Sequence, residues 1–254
     1  MRNYAKDPIL GNGLIFDISF DQAMVDLLAG GGTTYLFDKG PNRIAATCVS
    51  FVAGTWAIET PGIIPIHTID LDGTADQLTL GTNAAFDTIA TTNEMTFEIV
   101  ALPDAVGTDT LMAGNVTGVG GQACYPQLMI NGSGFVEFRP TQDTGETSIV
   151  ATDVDVTAGV PHHIVATFAE SDQIALISVD GDEFDSASAT LSCTNNTLQT
   201  LAANDFYIGA RNNTGGAIEN FLDGHVFWAK MWNRRLTRRE RILLFTRARD
   251  ILGL

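Results

Sequence analysis

The sequence has few charged residues, few cysteines and no long hydrophobic run. Charged residues make up 17% of its 254 residues, below the ~25% that is usual for soluble domains. Its three cysteines, Cys48, Cys124 and Cys193, have neither the number nor the spacing of a disulfide framework or a zinc site. There is no run of about 18 apolar residues, so no transmembrane helix and no membrane partner are expected. Met1–Asn12 lacks the apolar core of a signal peptide, which favours folding in a reducing cytoplasm.

Positive charge is scarce and is concentrated at one end of the chain. Residues 230–254 contain eight basic and two acidic residues and carry +6, whereas the remaining chain contains six basic and 28 acidic residues and carries −22. An acidic body repels phosphate backbones, so no nucleic-acid partner is expected. The basic end instead predicts docking on an acidic surface.

What is present is a succession of short β-type runs, with turn residues between them. Several runs alternate apolar and polar residues, as half-buried strands do; examples are Phe135–Arg139 and Ile174–Val179. One helix is well signalled, because Thr237 followed by Glu240 forms a capping box ahead of an apolar stripe that continues to Leu252. The pattern predicts an all-β, two-sheet antiparallel sandwich with one C-terminal helix.

Four segments resemble the laminin-G-like jelly-roll family of the concanavalin A-like lectin/glucanase superfamily. They are Ile69–Gly81, Met95–Leu102, His162–Gly181 and Phe206–Thr237, in which "D-G", "F-E-I", "H-H-I-V-A", "V-D-G" and "N-R-R-L-T" stand in the family's order. The resemblance implies a jelly roll over residues 14–236. We expect an N-terminal arm at residues 1–13. We also expect a basic amphipathic helix at residues 237–254, packed on or beside the sandwich.

The resemblance also implies where relatives hold a structural calcium. Asp38 and Asn42 lie in a loop similar to the family's early "D-x-S-G-N" loop and are the candidate metal ligands. The family's acidic "I-D-E-V" is replaced here by Val226-Phe227-Trp228-Ala229, which removes part of that support. No cofactor is therefore expected, with calcium at Asp38 and Asn42 as the alternative.

Candidate binding residues come from exposed aromatics and from the basic helix. Trp228, Trp56 and Tyr125 are candidates for stacking on sugar rings, and Arg238, Arg239 and Arg241 are candidates for an interface. His162 and His163 are adjacent in a strand and so point to opposite faces, which favours structural roles over shared metal ligation.

No catalytic pattern is present, and the sequence predicts a protein that is not an enzyme. The Glu-x-Asp-x-x-Glu arrangement of hydrolases with this fold is missing, as are phosphate loops and Gly-x-Ser-x-Gly. The interpretation we favour is a structural or adhesive module associated with a virion, such as a bacteriophage capsid-decoration or tail protein assembled in the host cytoplasm. Its expected partners are further copies of itself, capsid or tail neighbours, and surface glycans. The alternatives are an extracellular carbohydrate-binding module whose signal was removed and, third, a glycoside hydrolase.

Overall fold

The computed structural model describes residues 9–19, 35–51, 56–62, 65–114, 126–140, 149–181, 187–190, 198, 205–212 and 216–253. In chain order the elements are β1 (Leu14–Ser19), β2 (Tyr35–Phe37), β3 (Ala45–Val49), β4 (Trp56–Glu59), β5 (Ile66–Asp72), β6 (Gln77–Gly81), a 3-10 turn (Ala84–Asp87), α1 (Thr88–Thr92), β7 (Glu94–Pro103), β8 (Asp109–Gly114), β9 (Gln127–Ile130), β10 (Phe135–Arg139), β11 (Ile149–Asp155), β12 (His162–Ala169), β13 (Ile174–Val179), β14 (Ala187–Thr190), β15 (Phe206–Ile208), β16 (Arg211–Asn212), β17 (Ile218–Glu219), β18 (Asp223–Trp232) and α2 (Arg238–Leu252).

The strands form two antiparallel sheets that pack face to face. Over the described residues the first sheet has the order β14-β13-β12-β7-β18-β5-β4, and β1 pairs with the later part of β18. The second sheet has the order β11-β10-β9-β8-β15-β6-β3-β2. A separate ribbon contains β16 and β17. These sheets confirm the predicted sandwich.

Aromatic side chains join the two sheets across the core. The ring of Phe97 on β7 lies 6.0 Å from Phe138 on β10 and 5.7 Å from Phe206 on β15, both close to edge-to-face. Each of the three is fully buried. Alternation along each strand places these residues inside, and their neighbours in sequence on the outer faces of the sheets.

The outer face of the first sheet is covered by α2. The helix begins with the predicted capping box, since Thr237 and Glu240 bond reciprocally, and it ends at Gly253 with φ 74°. Its buried residues Leu244, Ala248 and Leu252 pack in two clusters that also contain Val100, Val165, Trp228 and Trp232 of the sheet. No helix in the described residues is long and apolar enough to cross a membrane.

The described end of the predicted N-terminal arm lies against the same region. Leu10 is fully buried beside Trp232, whose indole N–H donates to the Leu10 carbonyl at 2.7 Å. Arg234 donates to the carbonyls of Asn12 and Ile9. Residues 9–13 are thus part of the packed structure, and residues 1–8 lie outside the described residues.

Candidate functional site

A row of charged side chains is buried between the first sheet and α2. Asp17, Lys230 and Glu98 are register partners on β1, β18 and β7, and each is 1% exposed. Lys230 Nζ donates to Glu98 Oε2 at 2.9 Å. Burial acts to raise the pKa of Glu98, but the Lys230 ammonium and the contact with His163 outweigh it and lower that pKa to about 2. Glu98 is therefore an ionised carboxylate within the fold.

Trp228 belongs to this buried layer, so its prediction as an exposed sugar-stacking residue is wrong. It is 4% exposed, and its indole N–H donates to Glu98 Oε1 at 3.1 Å. The reason is the position of α2, which covers the face of β18 that the tryptophan occupies. The side chain of Trp56 and all of Tyr125 lie outside the described residues, and their predicted roles stay predictions.

The two adjacent histidines have the separate structural partners that strand alternation predicts. His162 Nδ1 lies 2.7 Å from Asp180 Oδ2, and its Nε2 accepts the backbone N–H of Thr157 at 2.9 Å. His163 Nε2 lies 3.1 Å from Glu98 Oε1. Because the two rings bond to different groups, they do not form a common site.

The loop of Asp38 and Asn42, the alternative calcium site, is held by its own hydrogen bonds. Asp38 Oδ1 accepts the backbone N–H groups of Asp17 and Gly40, and Oδ2 accepts that of Ile44 at 2.7 Å. The Asn42 amide donates to the Ile15 carbonyl at 2.7 Å. Burial raises the pKa of Asp38 despite these hydrogen bonds. Both carboxylate oxygens therefore have a structural use without an ion.

The three arginines of the predicted interface have different environments. Arg238 and Arg239 are exposed on the first turn of α2, and Arg239 lines an open groove of about 720 Å³ together with Ile9 and Ile242. Arg241 is only 7% exposed and donates to the Leu236 carbonyl at 3.0 Å. Its prediction as an outward-facing interface residue is wrong, because the first turn of the helix directs it back onto the chain.

Three carboxylates surround the imidazole of His225 at the β4 side of the first sheet. His225 Nε2 lies 3.8 Å from Glu59 Oε1, 4.0 Å from Asp70 Oδ1 and 3.8 Å from Asp104 Oδ2. Its side chain is 12% exposed, against 34%, 39% and 49% for the three acids. Burial is the main cause that raises the pKa of Asp70, and His225 opposes the shift. The neighbouring carboxylate of Asp104 raises the same pKa further. Among the described residues, Asp70, Asp104 and His225 are grouped as metal ligands are, because their donor atoms all lie within 4.8 Å of one another.

A second arrangement lies on the outer face of the second sheet. A single register row crosses six strands there and consists of Arg139, Gln127, Ala113, Tyr207, Thr79 and Thr47. Directly opposite residues in antiparallel strands project to the same face, so these side chains are neighbours. The Tyr207 hydroxyl donates to Asp205 at 3.2 Å, and Arg139 pairs with Glu137 at 2.6 Å. The row offers hydrogen-bonding groups on both sides of one aromatic ring.

Reasoning from the sequence missed both arrangements for the same reason. In the sequence Asp70 is only part of the family segment Ile69–Gly81, and His225 lies 155 positions further along the chain. The two become register partners only when β5 pairs with β18. Similarly, Arg139 and Tyr207 share a face only because β15 inserts between β8 and β6. Alternation within each strand shows that these side chains face outward, but not what stands beside them.

The two stacked antiparallel sheets, with polar groups outside and an aromatic core inside, define a lectin-like β-sandwich. The family model described as the concanavalin A-like lectin/glucanases superfamily, within its laminin-G branch, matches residues 72–240. The chain therefore belongs to this superfamily, as the sequence resemblance predicts. No curated protein sequence matches it significantly.

Solved structures with this fold include proteins that act on or bind sugars. A mutant Trypanosoma rangeli sialidase that displays trans-sialidase activity matches with a TM-score of 0.59 and 18% identity, over 95% of this chain and 34% of that chain. Domain 4 of a GH43 extracellular arabinanase from Geobacillus stearothermophilus, in complex with arabinotriose, matches with a TM-score of 0.58 and 16% identity, over 91% and 97%. The CBM40 of Ruminococcus gnavus IT-sialidase, bound to α2,3-sialyllactose, matches with a TM-score of 0.53 and 14% identity, over 70% and 95%.

These likenesses establish the fold of the chain. This chain spans only about a third of the sialidase, whereas it spans nearly all of the arabinanase domain and of the CBM40 chain.

Proposed function

We propose that the chain is a non-catalytic binding module that recognises a glycan through the outer face of its second sheet. The observation that carries this proposal is the register row from Arg139 to Thr47. Sugar recognition requires donors and acceptors for hydroxyl groups, and the row brings guanidinium, amide and hydroxyl groups together on neighbouring strands. The arabinotriose and sialyllactose complexes of similarly folded domains support the same chemistry.

The row has a buried centre and an open end. Tyr207 is 4% and Gln127 is 1% exposed, whereas 27% of the Arg139 side chain is exposed. A ligand therefore reaches Arg139 first, and Tyr207 and Gln127 fix the geometry of the face behind it. Glu137, paired with Arg139, gives the same end an acceptor for sugar hydroxyls.

Calorimetry with arabino-oligosaccharides and sialyllactose as the first probes tests this proposal. We expect Arg139→Ala to weaken binding at least about tenfold, which corresponds to the loss of one charge-assisted hydrogen bond. Arg249→Ala is the matched control, because Arg249 is a half-exposed arginine on α2. If no oligosaccharide binds the wild-type protein, or if both variants bind alike, the proposal fails.

A glycoside hydrolase is the second candidate, and one observation favours it. Ligand atoms of Asp70 and Asp104 lie within 4.8 Å of each other, close to the ~5 Å between the two carboxyl groups of retaining glycosidases. Release of nitrophenol from nitrophenyl glycosides would support catalysis if Asp70→Asn abolished it. We expect the wild-type protein to release nitrophenol no faster than the Asp70→Asn variant does.

We also propose that the protein is displayed on a virion, where its basic helix docks on an acidic neighbour. Two of the tail's arginines are used within the chain, since Arg234 pairs with Glu240 and Arg235 with Asp172. The exposed Arg238 and Arg239 lie on the same turn, and Arg239 lines an open groove together with Ile9 and Ile242. An acidic body attracts such a patch on a second copy, and the attraction weakens as salt shortens the Debye length below about 8 Å.

Light scattering and sedimentation with the source particle test this assembly. We expect wild-type protein to associate at low salt, and the double variant Arg238→Glu with Arg239→Glu to remain monomeric and unattached. Arg249→Glu controls for a charge reversal in the last turn of the same helix. Wild-type protein that is monomeric at every salt concentration, and that sediments with no particle, contradicts the proposal.

A further inference from the structure

The spacing around His225 is that of ligands around a shared ion. Nitrogen–oxygen separations of 3.8–4.0 Å are too long for hydrogen bonds, since side-chain contacts at about 3.6 Å or more do not form one. Two ligands that are each about 2.1 Å from one metal ion at a tetrahedral angle stand roughly 3.4 Å apart. The observed separations exceed this by a few tenths of an ångström, which small side-chain rotations close. The three acids thus lie beyond hydrogen-bonding distance of the ring nitrogen, and the donor atoms of Asp70, Asp104 and His225 all lie within 4.8 Å of one another.

The partner of the other ring nitrogen, Nδ1, bears on which tautomer of His225 faces the acids. His225 Nδ1 lies 3.3 Å from Thr68 Oγ1, and that hydroxyl donates to the Ala57 carbonyl at 3.5 Å. In the tautomer in which the hydroxyl donates to the carbonyl and accepts from Nδ1–H, Nε2 presents its lone pair to the acids. A histidine that ligates a metal is held in just this way by a partner on its second nitrogen.

The lone pair and three carboxylates form a concentration of negative potential that needs a cation. In the described part of the chain, no ion pair joins Glu59, Asp70 or Asp104 to a lysine or arginine. The four groups also come from four separate elements: β4, β5, the loop after β7, and β18. Neighbouring strands of one sheet therefore hold the group in place, which limits how far like charges can move apart.

We propose that Asp70, Asp104 and His225, with Glu59 beside the imidazole, form a binding site for a divalent transition-metal ion, with Zn²⁺ as the best fit. Imidazole nitrogen favours Zn²⁺ over Ca²⁺ and Mg²⁺, which prefer oxygen ligands alone. Zinc also accepts carboxylate oxygens at about 2.0–2.2 Å and forms four-coordinate sites. This site is separate from the glycan-binding row, because it lies on the first sheet, and it does not depend on the proposed function.

A calorimetric titration of the metal-free protein with Zn²⁺ alone, at neutral pH, tests the site. We expect one strong Zn²⁺ per chain, weaker binding of Mn²⁺, and at least about a hundredfold weaker binding of Ca²⁺. We expect both His225→Gln and Asp104→Asn to reduce the Zn²⁺ affinity at least tenfold. Asp104 is half exposed, so its variant preserves folding, which thermal melting of the metal-free proteins verifies.

Two control variants separate this site from adventitious zinc binding. His67→Gln removes an imidazole from the same strand as Asp70, and Asp153→Asn removes an exposed carboxylate from β11 of the other sheet; neither should change the affinity. The ring resonances of His225 should shift on addition of one equivalent of Zn²⁺. The proposal is overturned if His225→Gln and Asp104→Asn leave the zinc affinity unchanged. It is also overturned if the ring resonances of His225 do not shift when Zn²⁺ is added.

Discussion

Replacement of Lys230 by methionine leaves the Glu98 carboxylate buried without its cation. Methionine fills a similar volume along the same path, so the change removes the charge and little packing. Lys230 Nζ is 2.9 Å from Glu98 Oε2, and both side chains are almost completely buried, so water cannot replace the lost partner. Removal of one partner of a buried ion pair costs about 3–5 kcal/mol of unfolding free energy. For a chain of this length, that lowers the melting temperature by about 6–20 °C.

The loss should depend on pH with a definite sign. In the wild-type protein the pKa of Glu98 is lowered from 4.5 to about 2, so its contribution to stability is present above pH 4.5 and is lost as the pH falls towards 2. In Lys230→Met the same carboxyl stays buried, keeps its contact with His163 and loses the ammonium, so we expect its pKa to rise well above the wild-type value. The variant then regains stability relative to wild type as the pH falls from 7 to 5, because the carboxyl is protonated within the fold.

Urea denaturation of wild type, Lys230→Met and the double variant Glu98→Gln with Lys230→Met checks this reasoning. Glutamine is neutral, and its carbonyl oxygen still accepts from Trp228, so the double variant should recover at least half of the lost free energy. A loss below about 1 kcal/mol at pH 7 would refute the argument. So would a loss that is equally large at pH 5, because it would then come from packing and not from the buried charge.

Three smaller predictions concern single structural contacts, each measured by the free energy of unfolding in urea. Asp38→Ala leaves three backbone N–H groups without their acceptor, including that of Ile44, and should cost at least about 2 kcal/mol; a smaller cost would mean that water replaces the carboxylate. Thr237→Ala removes the capping box of α2 and should cost about 1 kcal/mol, whereas Thr237→Asn, which retains the cap, should cost little. Gly181→Ala places a methyl group against the Phe245 ring at φ +73° and should cost more than the roughly 1–2 kcal/mol of the left-handed backbone alone. If Gly181→Ala combined with Phe245→Ala were no better than additive, the clash would be excluded.

Local signals in the sequence were enough to predict the fold class and the helix α2. The capping box at Thr237 and Glu240 acts over a single turn, so four residues suffice to predict where α2 begins. Alternation in Phe135–Arg139 likewise shows which side chains enter the core, because the period of a strand is a local property. The order of the family motifs then predicted how the strands combine into a jelly roll.

What covers each face was decided only by the tertiary structure. Trp228 faces outward from its sheet, as alternation requires, yet it is buried because α2 packs across that face. Arg241 looks like its exposed neighbours Arg238 and Arg239 until the first turn of the helix directs it onto the Leu236 carbonyl. Burial of an outward-facing residue depends on elements distant in sequence, and no local pattern encodes it.

The same limit applies to the site around His225. Within its own strand, His225 is one polar residue among apolar neighbours, and Glu59, Asp70 and Asp104 are ordinary surface acids of an acidic chain. Pairing of β5 with β18 makes Asp70 and His225 neighbours, and β4 and the loop after β7 add the other two carboxylates. The sequence by itself determined that these strands exist and which faces they present. Only the tertiary structure decided which strands lie side by side, because the pairing of distant strands depends on the packing of the whole sandwich.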